Sequence, residues 1–166
     1  MNWDAISAIA DVLGIIGLIG TLVYLAKQIR QNTASIKANT ELETSRIWAE
    51  FHARVAHSNE MATIWDKALT DEKSLSPDEK RKFIWFVAEF FVMVESHFRQ
   101  WKSNYLSDAT WKVYQGSASG LLMNPLVKRW WKSGVSPYSD EFRNIMNIAV
   151  SELGDTKWKY SPLSKL

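Results

Sequence analysis

The sequence predicts an all-α protein, with a single N-terminal transmembrane helix continuous with a cytoplasmic helical bundle. Three observations lead to this fold class. The chain opens with a long apolar run, residues 27–57 contain neither Gly nor Pro, and the remainder divides into amphipathic segments that begin with helix-capping residues. No segment has the alternating pattern of a strand, and there is no internal repeat. A length of 166 residues fits one domain of ordinary size with one appended element.

The apolar run over residues 5–26 is long enough to cross a bilayer. It holds about 22 residues, and at about 1.5 Å per residue their length matches a hydrocarbon core of roughly 30 Å. Asp4 stands where a secretory signal peptide carries basic residues, so we expect residues 1–26 to be a retained transmembrane helix. The alternative is the buried core helix of a soluble protein. The run is apolar nearly all round, however, whereas a half-buried helix shows a polar stripe.

The charges that flank the apolar run predict its orientation. Lys27, Arg30 and Lys37 follow the run, whereas only Asp4 and the terminal amine precede it. Positive charge is in excess on the cytoplasmic side of membrane proteins. We therefore expect the N-terminus outside and the C-terminal bundle in the cytoplasm.

Small and polar residues recur along the first helix at alternating spacings of three and four. This spacing forms one seam of a left-handed coiled arrangement, and small residues allow membrane helices to approach closely. We expect a homo-oligomer in which this small seam is the interface. Its members are Ser7, Ala10, Gly14, Gly17, Thr21, Tyr24, Gln28 and Gln31, and Ser35 and Ala38 continue it. Alternatively, the glycines mark flexibility or a face for another protein.

Asp11 is the ionisable residue inside the apolar run. A carboxylate in the middle of a membrane costs about 2.5 to 3.5 kcal/mol, so such a residue is a functional hypothesis by default. Asp11 lies about 9 Å into the run, and its carboxylate could reach the outer headgroups. Two other interpretations are a ring of carboxylates along an ion path in an oligomer, and a pair with a cation of a partner. Asp11 is thus the candidate ion-binding residue.

Beyond the span, the pattern predicts a helical stalk over residues 27–57 and a bundle over residues 58–153. A short helix is expected first, over residues 59–70. The motif SPDE at 76–79 is a capping box with proline at the first helical position. The helix that follows should form the core of the bundle, because apolar residues cover most of its surface. One stripe of that helix consists of Phe83, Val87, Phe90, Val94, Phe98 and Trp101.

Three later helices are predicted from the residues that precede them. Ser107, Asn124 and Ser139 are each followed by Pro or by acidic residues, which is typical of a helix N-terminus. A loose tail is expected over residues 154–166.

Little in the sequence indicates catalysis, a cofactor or a metal. The chain has no Cys, and none of its three His has an acid three residues before it, which excludes thiolate sites and the Glu-x-x-His pairs of di-iron bundles. There is no glycine-rich phosphate loop and no Gly-x-Ser-x-Gly elbow. The net charge of +2 and the interspersed charges give no nucleic-acid footprint. We expect no catalytic residue, no cofactor, no metal and no nucleic-acid partner.

Two acids of the aromatic helix are the remaining candidates for chemistry. Glu89 and Glu95 would form a carboxylate site if both pointed inward. Glu50 with Arg54, and Glu95 with Arg99, are four residues apart with the acid first. This spacing predicts ion pairs of about 0.3 to 0.5 kcal/mol along the helix surface.

The stretch TLVYLAKQIRQNT at 21–33 follows a Gly-rich apolar run that opens with Met-Asn-Trp. Together with SPDEKRKF at 76–83, the aromatic helix and Trp130-Trp131, it resembles a group of small, uncharacterised bacterial single-pass membrane proteins. The resemblance covers most of the chain. It implies a location in the bacterial inner membrane and assigns no catalytic residue.

Three function classes follow from these patterns. We favour a non-enzymatic homo-oligomer that acts as a scaffold or sensor at the cytoplasmic face, with the lipid bilayer and other copies of the chain as partners. A cytoplasmic protein is a further candidate partner. The first alternative is an oligomeric ion channel or pore with Asp11 near its outer mouth. The second is an enzyme that uses buried acids of the bundle.

Overall fold

The computed structural model describes residues 3–135 and 137–153. These residues form six α-helices and one 3-10 helix and contain no strand, which confirms the all-α class. The predicted loose tail, residues 154–166, lies outside the described residues. The helices are α1 (Trp3–Ala56), α2 (Asn59–Thr70), α3 (Pro77–Lys102), α4 (Asp108–Leu122), α5 (Pro125–Lys132) and α6 (Asp140–Glu152), with the 3-10 helix Glu72–Ser74 between α2 and α3.

The helices of the bundle begin at the predicted capping residues. In the capping box of α3, the Ser76 hydroxyl accepts a hydrogen bond from the Glu79 backbone N–H at 3.2 Å, and the Glu79 carboxylate accepts one from the Ser76 backbone N–H at 2.7 Å. The side chains of Ser107, Asn124 and Ser139 accept hydrogen bonds from first-turn backbone N–H groups of α4, α5 and α6, respectively. Each cap satisfies first-turn N–H groups that have no partner inside the helix. The predicted starts of these four helices are therefore confirmed.

The chain divides into two compact units, the first ending at Thr40 and the second beginning at Glu41. Helix α1 runs through both units, so the stalk predicted over residues 27–57 spans the boundary. The exposed fraction of the side chains changes there. Residues 11–39 of α1 are all exposed, whereas Thr44 and Phe51 are buried in the second unit.

The hydrophobic core belongs to the second unit and surrounds α3. This helix packs against α2, α4 and α5, and α4 also packs against α6. Of the stripe predicted for α3, Phe83, Val87, Phe90, Val94 and Phe98 are buried, and Trp101 is partly buried against them. The predicted core helix is thus confirmed.

Aromatic rings supply much of this core. The Phe91 ring lies 5.0 Å from the Trp131 ring and 5.8 Å from the Trp130 ring, centroid to centroid. Trp101 and Trp111 are stacked, with ring centroids 5.5 Å apart and 17° between their planes. Because aromatic pairs add to the stabilisation by burial alone, the many Trp residues are explained largely by packing.

Candidate functional site

The first part of α1 is the most conspicuous apolar surface of the described chain. Among the described residues, α1 is the one helix that is long and apolar enough to cross a membrane, and none of its most apolar stretch is buried. Ile16 is 60% exposed and Leu18 is 61% exposed. The prediction of a helix that could span a membrane is therefore confirmed at the level of length and composition.

The small seam lies open on α1. A Cβ atom built on Gly14 or Gly17 would have no neighbouring atom within 4 Å, so the face is free for close approach by another helix. The Thr21 hydroxyl donates to the Gly17 carbonyl at 2.9 Å, so its hydrogen bond is satisfied within the helix. The exposed members are Ser7, Gly14, Gly17, Thr21, Tyr24, Gln28 and Gln31, whereas the side chain of Ala10 lies outside the described residues. That this seam is an interface stays a prediction.

Asp11 is exposed on the same helix. An exposed position within an apolar helix is compatible with each of the three interpretations of its carboxylate, which remain predictions. Among the described residues, no group of three or more Asp, Glu or His side chains could hold a metal ion.

A polar junction forms where α1 enters the second unit. The Glu41 carboxylate accepts hydrogen bonds from the Ser107 backbone N–H at 2.9 Å and from the Thr110 hydroxyl at 2.8 Å, both at the N-terminus of α4. Burial raises the pKa of Glu41, but the donations from Ser107 and Thr110 outweigh it, and the pKa lies below its usual 4.5. One turn further along α1, the buried Thr44 hydroxyl donates to the Gln100 side-chain oxygen at 3.3 Å.

His97 lies in the core, on the same helix as Gln100. It is 1% exposed, and its Nδ1 has no hydrogen-bond partner among the described residues. Its ring lies 4.4 Å from the Tyr114 ring, which in turn lies 4.8 Å from the Trp48 ring of α1. Burial lowers the pKa of His97 to about 4, so the imidazole is neutral at pH 7.

Sequence reasoning missed the junction residues Glu41 and Thr44 and the burial of His97. One signal was present for Thr44: it precedes Trp48 by four residues and Phe51 by seven, so it extends the apolar stripe of α1 by one turn. No local sequence pattern indicated the role of Glu41, because its hydrogen-bond partners lie 66 and 69 residues away in sequence.

The two candidate catalytic acids do not share a site. The Glu89 side chain is 52% exposed and pairs with Arg54 at 2.6 Å. The Glu95 side chain is only 8% exposed; it accepts from the Ser139 backbone N–H at 2.9 Å and pairs with Arg99 at 3.1 Å. Glu89 and Glu95 are six residues apart, which at about 100° per residue places their side chains about 120° apart around the helix axis. Glu95 faces the core, so Glu89 does not.

The ion pair predicted between Glu95 and Arg99 is confirmed. The one predicted between Glu50 and Arg54 is wrong, because Glu50 pairs with Arg46. The Arg54 guanidinium instead lies 5.4 Å from the Phe51 ring centroid and reaches Glu89 on α3. For Arg54, contact with the Phe51 ring and pairing with Glu89 are thus favoured over pairing with Glu50, four residues before it.

A groove of about 550 Å³ lies between the end of α3, the start of α4 and α6. Its charged groups are already paired: Lys102 with Glu141, and the Asp108 carboxylate with the Trp101 indole N–H at 2.7 Å. The groove is lined by Phe98, Trp101, Lys102, Asn104, Asp108, Glu141, Asn144, Ile145 and Ile148.

Comparison of the chain with protein-family models, with curated proteins and with solved structures finds no match. The candidate functional site is defined by its geometry: an exposed apolar helix, followed on the same helix by a polar junction with the bundle.

Proposed function

We propose that the protein is a single-pass protein of the bacterial inner membrane that forms homo-oligomers and acts as a non-enzymatic scaffold or sensor at the cytoplasmic face. The observation that carries the proposal is α1. It is one uninterrupted helix from Trp3 to Ala56, exposed and apolar at its start and buried at Phe51 in the core of the bundle. Exposed apolar surface is unfavourable in water by roughly 25 cal/mol per Å². Lipid is the environment that removes this cost for a helix of this length.

A role in sensing or scaffolding is supported by helix α1, which belongs to both compact units of the chain. Its last turns contribute Thr44 and Phe51 to the second unit, where both are buried. A partner or ligand that changes their packing therefore acts on the same helix that carries the apolar segment. Conversely, association of the apolar segments would bring copies of the bundle together.

The orientation with the bundle inside is supported by Lys27, Arg30 and Lys37, which are exposed and follow the apolar stretch. Because the chain has no Cys, single-Cys variants can test it. In intact spheroplasts, a membrane-impermeant maleimide should label Asp4→Cys and should label Glu152→Cys only after permeabilisation. The reverse pattern would contradict the orientation. Release of the protein by an alkaline carbonate wash would contradict the membrane location itself.

Homo-oligomer formation is tested by the mass of the intact protein in nanodiscs or native detergent micelles. A mass that is a multiple of the 19.1 kDa chain is expected. A single chain per particle at all protein-to-lipid ratios would contradict the homo-oligomer and would leave only a monomeric anchor.

An ion channel is kept as a second candidate because Asp11 is exposed within the apolar part of α1. If copies surround a pore, a ring of Asp11 carboxylates would favour cations. Single-channel recording of Asp11→Asn should then show a reduced preference for cations, whereas Asp4→Asn serves as the matched control near the helix start. Absence of conductance in the unchanged protein, or unchanged selectivity in Asp11→Asn, would exclude this candidate.

A further inference from the structure

We propose that the protein binds the phosphate of anionic phospholipids at one face of α1, through Lys27, Arg30 and Gln31. We call these three residues the headgroup site. The inference rests on the proposed function, since it requires the apolar segment of α1 to lie in the bilayer with its C-terminal end at the cytoplasmic leaflet. It adds a lipid class as a partner and assigns the face of the helix that binds it.

The headgroup site lies at the depth of the lipid headgroups. The apolar run ends at residue 26, and at about 1.5 Å per residue the three side chains begin about 2 to 8 Å beyond it. The headgroup layer on each side of the hydrocarbon core is about 5 to 8 Å thick. The headgroup site therefore lies within the layer that holds the lipid phosphates. Lys37, about 17 Å beyond the run, lies outside that layer.

The three side chains converge on one face of the helix. At about 100° per residue, Arg30 lies about 60° to one side of Lys27, and Gln31 lies about 40° to the other side. Residues three or four apart on a helix have Cβ atoms about 5 to 6 Å apart, so these long side chains can reach one phosphate. Ala34 follows on the same face, and its small side chain leaves room for a headgroup. Positive charge that served only to orient the helix could lie on any side of it.

The donors of the headgroup site are open. All three side chains are exposed, and none of them makes an ion pair or a side-chain hydrogen bond within the described residues. The nearest acids are remote: Asp11 lies about 24 Å before Lys27 along the axis, and Glu41 lies about 17 Å after Arg30. The Glu41 carboxylate already accepts two hydrogen bonds at the start of α4. Two cations three residues apart repel each other, so a bound anion would relieve this repulsion.

The kinds of donor suit a phosphate. A guanidinium presents parallel N–H groups that match two phosphate oxygens, an ammonium adds a point charge, and an amide NH2 donates further hydrogen bonds. Each Lys or Arg near an anionic membrane surface strengthens binding by roughly fivefold. An acidic protein segment would also be attracted to two cations. Lipid phosphates, however, are concentrated at the depth of the headgroup site, so the lipid is the partner that we assign.

Native mass spectrometry of the full chain tests the headgroup site. The protein is released from micelles that contain equal amounts of phosphatidylglycerol and phosphatidylethanolamine, and the retained lipids are counted. The unchanged protein should retain phosphatidylglycerol preferentially, and Lys27→Gln and Arg30→Gln should each lower this preference about fivefold. Gln31→Ala, which changes no charge, should lower it about threefold through the lost hydrogen bond. Lys37→Gln is the matched control, because it removes the same charge outside the headgroup layer and should leave the preference unchanged.

Equal retention of the two lipids by the unchanged protein would overturn the lipid as the partner and favour an acidic protein instead. An equal loss of preference in Lys37→Gln would also overturn the headgroup site, since positive charge anywhere on the stalk would then suffice. The proposed function would survive either result if the protein still resists the alkaline carbonate wash. Release by that wash would contradict the membrane location and the headgroup site together.

Discussion

Glu41 is the residue at which α1 becomes attached to the bundle. Its carboxylate accepts two hydrogen bonds at the N-terminus of α4, where the helix dipole also favours a negative charge. In Glu41→Gln, the side-chain NH2 group would face one of the two donors, the Ser107 backbone N–H or the Thr110 hydroxyl, and one hydrogen bond would be lost. We expect the free energy of unfolding at pH 7 to fall by about 1 to 2 kcal/mol. Urea unfolding of the full chain in mild detergent, followed by circular dichroism, measures it.

The pH dependence of this loss has a defined sign. The folded-state pKa of Glu41 is lower than the usual 4.5, so its contribution is present above pH 4.5 and is lost as the pH falls through the folded-state pKa. The difference between wild type and Glu41→Gln should therefore shrink in acid. Glu43→Gln is the matched control, because Glu43 pairs with Arg46 at the surface of α1 and should change stability by much less. An equal loss in both variants would contradict the role assigned to Glu41.

His97 gives a second residue-scale prediction. Its folded-state pKa of about 4 lies below the usual 6.5, so the unfolded chain binds a proton first and stability falls as the pH drops from 6.5 to about 4. The full effect is about 3 kcal/mol. In His97→Leu this part of the pH dependence should disappear, whereas in His57→Leu, where the residue is exposed, it should persist. Unfolding free energies between pH 4 and pH 7 test it, and an unchanged slope in His97→Leu would contradict it.

Among the elements, α2 and α5 are joined by one side chain. The Asn124 amide donates to the Ala68 carbonyl at 2.8 Å, while its oxygen accepts from the Leu126 and Val127 backbone N–H groups at 3.0 and 3.2 Å. Asn124→Ala removes the cap of α5 and leaves a buried carbonyl without its donor, so we expect a loss of about 2 to 4 kcal/mol.

Ser139→Ala is the comparison for Asn124→Ala. Ser139 caps α6 through its hydroxyl but is exposed, so its removal should cost only about 1 kcal/mol. Both values come from urea unfolding of the full chain. If Asn124→Ala lost no more than Ser139→Ala, the bond to Ala68 would contribute nothing measurable.

The elements could be predicted from the sequence because their signals are local. A cap such as Ser76 acts within four residues, and the stripe of α3 repeats within two turns. Contacts between elements could not be predicted in this way. Arg54 pairs with Glu89, which is 35 residues away, and not with Glu50, and Glu41 accepts a hydrogen bond at the start of α4. Tertiary packing determines which of several possible partners lies within reach of each side chain.

Of the candidate site, the sequence predicted the apolar helix through its length and composition, and the structure leaves the small seam exposed. It did not predict the polar junction, whose geometry exists only once α4 has packed beside α1.

At the scale of the whole molecule, the core lies entirely within the second unit, from Phe51 to Met146. We therefore predict that a chain of residues 41–166 is soluble without detergent, helical by circular dichroism and cooperative in unfolding. A chain that starts at residue 59 is the matched comparison. It lacks the Phe51 ring, which lies 4.4 Å from the Phe86 ring, and should unfold at clearly lower urea concentration. Aggregation of both chains would contradict an independent second unit.

The stacked indoles of Trp101 and Trp111 have a spectroscopic consequence. Two indoles with ring centroids 5.5 Å apart couple their electronic transitions, and we expect a paired band of opposite sign in ultraviolet circular dichroism if their transition dipoles are twisted relative to each other. Trp101 lies in the last turn of α3 and Trp111 in the first turn of α4. Ser107, whose backbone N–H donates to Glu41, lies between them in sequence. The protein thus carries an intrinsic optical reporter of this corner, and a titrated ligand that loosens it would reveal itself without any attached dye.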